Sequence, residues 1–497
     1  MRKTTSFTVV ALSTGAIALA AGMGCALAAD LPPAPVYKGP PPVAVPAYNW
    51  SGFYLGAGYG YGLWNADTSV NANGAPRFGS ATQGGKGWFG NVVAGYDYQF
   101  GDRVVAGVLA DYEFGNVTGT FSDPGAIAGS ASGSMAESHE WSVGGRIGWL
   151  FAPELLGYVD GGYTQARFSG VTLTGNSTVA GTIGTLPGTN YGGWFVGGGF
   201  ESSFPFLGDG WFFRTDYRYS QYSTESVLQT PGAGFGGGPV ITQEIKPTTQ
   251  TMSTSLIYKF NAHTPSGPSF SNMLQTAFVP AAQPRWTGFY LAGGGGYGMW
   301  NMQTANIVPG GTSVNTYTQG GYGWFGTVNG GYDYQLSKLL VVGAFADVDF
   351  GDISGSFQDN NNSYPHPLVG TMRENWAWHG GVRGGWLMTP TVLNYYDVGF
   401  TQAEFSGVDL VSNNAAGPGG VLATLPSQTY NGWFFGSGVE AAMPWFGNNW
   451  FARLEYRYAS YTGKTLTESW ANGSGVRNYV DVHPYMQTVR AALVYRF

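Results

Sequence analysis

The sequence predicts an all-β fold: a transmembrane antiparallel up-and-down β-barrel, built as two tandem eight-stranded units. Three observations predict it. Bulky apolar residues alternate with small or polar ones at period two, the chain repeats itself at a nearly fixed offset, and the connections between strands alternate between short and long.

The stretch GFYLGAGYGYGLWN, residues 52–65, carries the first observation. Phe53, Leu55, Ala57, Tyr59, Tyr61 and Leu63 form one face, and Tyr54, Gly56, Gly58, Gly60, Gly62 and Trp64 the other. Two unlike faces at this period mean a strand. The same alternation runs from Trp88 to Phe100 and from Val104 to Phe114. Further strands are expected near 139–150, 156–168, 192–202, 211–220 and 251–260. Short connections near 101–103, 151–155 and 203–210 alternate with long ones near 66–86, 115–138, 169–191 and 221–250, the pattern of an outer-membrane barrel. In the seventh strand Phe213, Thr215, Tyr217 and Tyr219 would meet lipid while Arg214, Asp216 and Arg218 point inward. An arginine on the lipid face at the midplane costs about 2–4 kcal/mol, so the phase is strongly selected. In a soluble sandwich the apolar face would be a core, but that leaves a glycine-rich exported chain with aromatic strand ends unexplained.

The repeat is the second observation. WSGFYLGAGYGYGLWN from Trp50 returns as WTGFYLAGGGGYGMWN from Trp286, and GWFGNVVAGYDYQF from Gly87 returns as GWFGTVNGGYDYQL from Gly323. The units close on SLIYKF at Phe260 and ALVYRF at Phe497. The expected organisation is a signal peptide over 1–28, a proline-rich periplasmic leader over 29–49, one barrel unit over 50–260, a linker over 261–285 and a second unit over 286–497. Arg2 and Lys3 before an apolar run, then Ala26-Leu27-Ala28, read as the signal and its cleavage site. The only cysteine, Cys25, lies in that segment. A lipid anchor on it is the rival reading, disfavoured because Gly22-Met23-Gly24 lacks the usual aliphatic residue. Beyond the signal there is no apolar run long enough for a transmembrane helix.

With a net charge of -7, 10% charged residues and 31 each of Tyr and Phe, the chain reads neither as disordered nor as a nucleic-acid binder. It resembles the opacity-type outer-membrane immunogenic protein family of alphaproteobacteria in the ADLPP after the signal, the SGFYLGAGYGY first strand, GYDYQ, FSGV and the terminal YRF. The resemblance implies an eight-stranded surface barrel of the porin family in the Gram-negative outer membrane. It implies an abundant envelope protein and surface antigen, with porin-like permeability proposed for the family and haem binding for some relatives. The duplication departs from the family pattern of one unit.

The strand phase places Asp97, Asp111, Glu113, Asp160, Glu201 and Asp216 with Arg146, Arg214, Arg218 and Lys259 in the first lumen. The second receives Asp333, Asp347, Asp349, Asp397, Glu440 and Glu455 with Arg383, Arg453, Arg457 and Arg496. If the units close separately, these groups are expected to plug narrow barrels as an ion-pair network. If the strands join into one ring of sixteen, they would line an aqueous, cation-preferring channel. Leu493, Tyr495 and Phe497 are expected to form the signal read by the barrel-assembly machinery. Other expected partners are outer-membrane lipid, lipopolysaccharide and small polar solutes, with no nucleic acid. No cofactor, metal or catalytic residue is expected. Gly293-x-Gly295-x-x-Gly298 matches a dinucleotide fingerprint but lies in an alternating strand with no helix after it. Ser138-His139 could pair a nucleophile with a base, but its counterpart carries Asn375 and Trp376, with His379 further on, so His139 and His379 are expected to be lumen or rim residues. Tyr364-Pro365-His366 and His483-Pro484-Tyr485 contain possible iron ligands for haem capture by loops.

Overall fold

The computed structural model describes residues 49–124, 130–175, 181–204, 207–260, 285–311, 313–359, 367–443 and 446–497. The expected signal, most of the leader and nearly all of the linker lie outside them, as does Tyr364-Pro365-His366.

The first barrel is the ring β1 (Gly52–Ala72), β2 (Ala75–Phe100), β3 (Val104–Asp123), β4 (Ala131–Ala152), β5 (Leu155–Phe168), β8 (Thr189–Ser203), β9 (Trp211–Tyr222) and β11 (Ile241–Lys259). Antiparallel pairing of β11 with β1, from Tyr54 opposite Lys259 to Ala72 opposite Ile241, closes it. The second is the ring β12 (Gly288–Ile307), β13 (Ser313–Gln335), β14 (Leu340–Asp359), β15 (Leu368–Thr389), β16 (Val392–Phe405), β19 (Gln428–Ala442), β20 (Trp450–Tyr461) and β22 (Val476–Arg496), closed by β22 on β12. The alternative ring of sixteen would need β11 beside β12. Both neighbours of β11 within its own unit, β1 and β9, already occupy its edges, so that ring is not formed.

The segments expected as long loops are largely strand. The β1–β2 hairpin extends to Asn73-Gly74, where both residues have positive φ, 50° and 79°, as a type I′ turn demands. Short strands β6 (Val171–Gly175), β7 (Thr182–Leu186) and β10 (Glu225–Pro231) replace β5, β8 and β9 above the membrane level, running β4–β6–β7–β10–β11. In the second barrel β17 (Val408–Ser412), β18 (Val421–Leu425) and β21 (Lys464–Trp470) do the same. The reason is burial. Trp64, Phe121, Phe168, Leu173, Ile183 and Tyr222 fill the inside of the extension as an apolar core, which a solvated loop could not enclose.

The outer faces are inverted relative to a soluble protein. Leu55, Val92, Val108, Val143, Ile147 and Val196 point outward and stay exposed between two aromatic girdles. On β2 the girdles are marked by Trp88 and Tyr98, about 25 Å apart along the barrel axis at ~3.3 Å per residue and a tilt of ~40°. That is the height of a hydrocarbon core crossed by strands. Beyond Leu63 the outward positions of β1 turn polar, with Asn65, Asp67, Ser69 and Asn71, so the extension stands clear of lipid.

The barrels meet along a pseudo-two-fold axis. Asn65 donates to the Gly321 carbonyl at 2.9 Å, Asn301 donates to Asn65 Oδ1 at 2.6 Å, and Gln83 pairs with Gln319 between β2 and β13. Glycines at 84 and 320 make this approach possible, because a Cβ at either would collide with the opposite asparagine.

Candidate functional site

The interiors of the barrels gather the charged residues. Glycine on the inward face of β1 leaves room for them, and the inward residues of β2, β3, β4, β5, β8, β9 and β11 supply them. In the first barrel Arg146 spans Asp97 and Glu201, with its Nε at 2.8 Å from Asp97 Oδ1 and Nη1 at 2.9 Å from Glu201 Oε2. Arg214 reaches the same Glu201 oxygen at 2.7 Å, and Lys259 bridges Asp97 and Glu201. Nearer the outer girdle Arg218 donates to Asp111 at 2.8 Å, and Tyr158 donates to Asp216 at 2.6 Å.

The second barrel repeats this layout. Arg383 holds Asp333 at 2.8 Å and Glu440 at 3.2 Å, Arg453 and Arg496 donate to Glu440, and Arg496 reaches Asp333 at 2.8 Å. Arg457 spans Asp347 and Asp397 at 3.1 Å and Glu455 at 2.7 Å. Nearly all these side chains are buried. Withdrawing an ion from water costs several kcal/mol, which only a mutually satisfied network can offset. Aromatic faces help: Arg146 lies 4.9 Å from the ring centres of both Tyr54 and Tyr158.

Each network is capped at both ends. At the end of the short turns Trp50 is fully buried and donates to the Pro153 carbonyl at 2.9 Å, while Trp286 donates to that of Pro390 at 3.2 Å. Arg496 packs over Trp286 at 4.5 Å. At the other end lies the apolar core of the extension. Inside the first network a cavity of about 20 Å³ is bounded by Asp111, Glu113, Asp216 and Ser253, enough for about one water.

Of the residues expected in the lumens, all but Asp216 are buried, and Asp216 is half-buried with its carboxylate accepting from Tyr158. Sequence reasoning missed Glu137, Glu140, Glu374 and Arg490, all buried, and the role of the two tryptophans, whereas His379, expected in the lumen or at its rim, is buried and His139 lies on the outer face. Glu140 and Arg490 were legible, being in phase with Arg146 and Arg496. Glu137 and Glu374 were not, because bulges after each shift the phase by one residue.

Asp347, Asp349 and His379 come within 4.8 Å of one another, a spacing that could hold an ion. Arg457 at 3.1 Å from Asp347 and Arg490 at 2.9 Å from Asp349 already neutralise these carboxylates and would repel a metal cation. His379 contacts Asp347 at 2.7 Å, whereas His139 stacks on Tyr112 at 5.8 Å on the outer face, so the two histidines are not equivalent. Ser138 lies 3.3 Å from His139, and the second barrel has no such pair at that place. His483 packs over Gly463, and Tyr485 carries the Lys86 ammonium on its ring. Leu493 and Phe497 face outward at the rim of β22.

Comparison with known proteins follows the repeat. The outer-membrane protein β-barrel domain model matches residues 16–260. The 31 kDa outer-membrane immunogenic proteins of Brucella melitensis and Brucella suis are 27% identical over 234 residues, covering 44% of this chain and 88% of the relative. The 22 kDa outer membrane protein of Rhizobium leguminosarum is 31% identical over 182 residues, covering 36% of this chain and 66% of that protein. Among solved structures, the outer membrane protein OprG of Pseudomonas aeruginosa covers 42% of this chain and 97% of its own at 13% identity, with a TM-score of 0.29. Less than half of this chain thus accounts for most of each Brucella relative.

Proposed function

Because the chain belongs to an alphaproteobacterial family of outer-membrane β-barrel proteins, we propose that it is a non-catalytic structural and surface component of the outer membrane whose two lumens are closed to solutes. One observation carries this reading: each interior is filled in series by a buried tryptophan, an ion-pair network and an apolar core. The cavity inside the first network admits about one water. Passive diffusion would require the networks to part, and cation preference belongs to the single ring of sixteen. The test is conductance of the full-length protein in a planar bilayer. No sustained steps are expected; large, stable, cation-preferring steps would overturn the closed-lumen reading. On the same reading Phe497 addresses the chain to the assembly machinery. Its deletion should lower the folded, heat-modifiable fraction severalfold in outer-membrane preparations, while Phe260→Ala should leave it unchanged.

A further inference from the structure

The pseudo-two-fold axis relates two faces where the barrels adjoin, and the faces differ. At the outer girdle each face is bridged by an aromatic arc. Trp194, Tyr219, Tyr297 and Trp324 follow one another with ring centres 5.7, 5.4 and 5.0 Å apart. Across the axis Trp433, Tyr458, Tyr61 and Trp88 do so at 5.9, 5.5 and 5.0 Å.

Beneath the first arc lies an apolar groove of about 570 Å³, walled by Val159, Val196 and Tyr217 of the first barrel and Gly295, Leu454 and Ala491 of the second. Toward the short turns the crevice narrows to about 40 Å³, where Phe200 and Met388 pack with Val439. Beneath the second arc aromatic residues occupy the same places. Val196 faces Tyr219 as Phe435 faces Tyr458, Val159 faces Gly198 as Tyr396 faces Ser437, and Gly295 faces Gly326 as Tyr59 faces Gly90. Tyr396 stacks on Phe435 at 5.8 Å with Tyr59 beside it. Three small residues on one side therefore stand where the other carries three aromatics.

We propose that this groove is a lipid site, holding one acyl chain of an outer-leaflet lipid, which in this membrane is lipid A. Its walls are mostly outward-facing apolar and aromatic side chains between the girdles, which favour hydrocarbon over water or a polar segment. At about 30 Å³ per water-sized group the volume takes on the order of twenty methylenes, one chain rather than a bundle. It opens at the girdle on the side of the strand extensions, away from the short periplasmic turns, which selects the outer leaflet. The aromatic arc lies at headgroup level, where such rings anchor lipid. The inference rests on membrane placement and not on the closed lumens, so a conducting protein would leave it intact.

The test is native mass spectrometry of the full chain after exchange into phosphatidylethanolamine vesicles containing lipid A. Wild type should carry one lipid A adduct, and Val159→Tyr/Val196→Phe/Gly295→Tyr should lose it at least tenfold. A Cβ at Gly295 would come 3.0 Å from the Phe325 carbonyl oxygen, so Val159→Tyr/Val196→Phe alone is made as well, with heat-modifiable migration reporting folding. In the converse variant, Tyr59→Gly/Tyr396→Val/Phe435→Val, a second adduct should appear. No adduct on wild type, equal adducts on wild type and the filled variants, phosphatidylethanolamine alone in the groove, or a second copy of the chain in place of lipid would each overturn the proposal.

Discussion

Around Arg146 in the first barrel and Arg383 in the second, the same partners meet in the same places: an aspartate on β2 or β13, a glutamate on β8 or β19, an arginine on β9 or β20, and a cation on the closing strand. One layer outward the barrels part company. Ser253, opposite Gly60, is replaced by Arg490, opposite Gly296, and Ser142, opposite Asp111, by His379, opposite Asp347. The first barrel keeps its small cavity there and lets Tyr222 donate to Glu140 at 2.8 Å, whereas the second inserts Arg490 between Asp347 and Asp349. At the outer tip both barrels bury an aspartate, Asp123 and Asp359, but the first adds Gln229 beside an apolar cluster of Val70, Phe78 and Ile241, whereas the second adds Asn306, Glu468 and Arg477. The inner layer, beside the closing seam, tolerates one arrangement; farther out, several arrangements satisfy the same backbone.

The largest effect is expected where the barrels agree. Glu201→Gln strands three cations around Asp97, and Glu440→Gln does the same around Asp333. Each should cost about 3–5 kcal/mol in urea unfolding of the micellar protein. Equal losses support a shared layer, and a loss confined to one barrel breaks the comparison. Smaller is the difference one layer out. Arg490→Ser removes a charged donor from Asp349 and should cost about 2–3 kcal/mol, while Ser253→Ala in the first barrel should stay within about 0.5 kcal/mol.

Smallest is a pH effect confined to the tip of the second barrel. Arg477 touches both Asp359 and Glu468 and can neutralise only one of them. Burial pushes the Glu468 carboxyl up to about 8 and Arg477 down to about 10. A carboxyl whose folded value is raised contributes stability below its unfolded value, near 4.5, and that stability is lost as pH rises toward 8. Hydrogen exchange in β21, corrected for intrinsic rate, should therefore quicken between pH 5 and 9. It should not in β10, where Gln229 takes the place of Glu468, and Glu468→Gln should flatten the response. Equal pH dependence at both tips would remove the distinction.

Much of the site was legible because strand phase is a local property. Arg214, Asp216 and Arg218 must face inward whatever the rest of the chain does, since the outward set of β9 meets lipid. Glu137 and Glu374 escaped because a bulge is a register event between two strands, which neither strand announces alone. The expected long loops were misread for a related reason. Polar outward residues such as Asn65 and Asp67 look like loop when the inward residues between them, Trp64 and Ala66, are not known to meet a core.

By itself the sequence determined the alternation, the duplication and the sign of each lumen position, because partition between hydrocarbon and a narrow interior acts residue by residue. Tertiary structure alone decided that β11 returns to β1 and β22 to β12. The same alternation would satisfy β11 beside β12, and only the competition between complete edges, their register and the side chains packed within each ring selects the partner. It also decided the groove between the barrels, since Val159, Val196 and Gly295 lie far apart in the chain and become one site only where two closed rings touch.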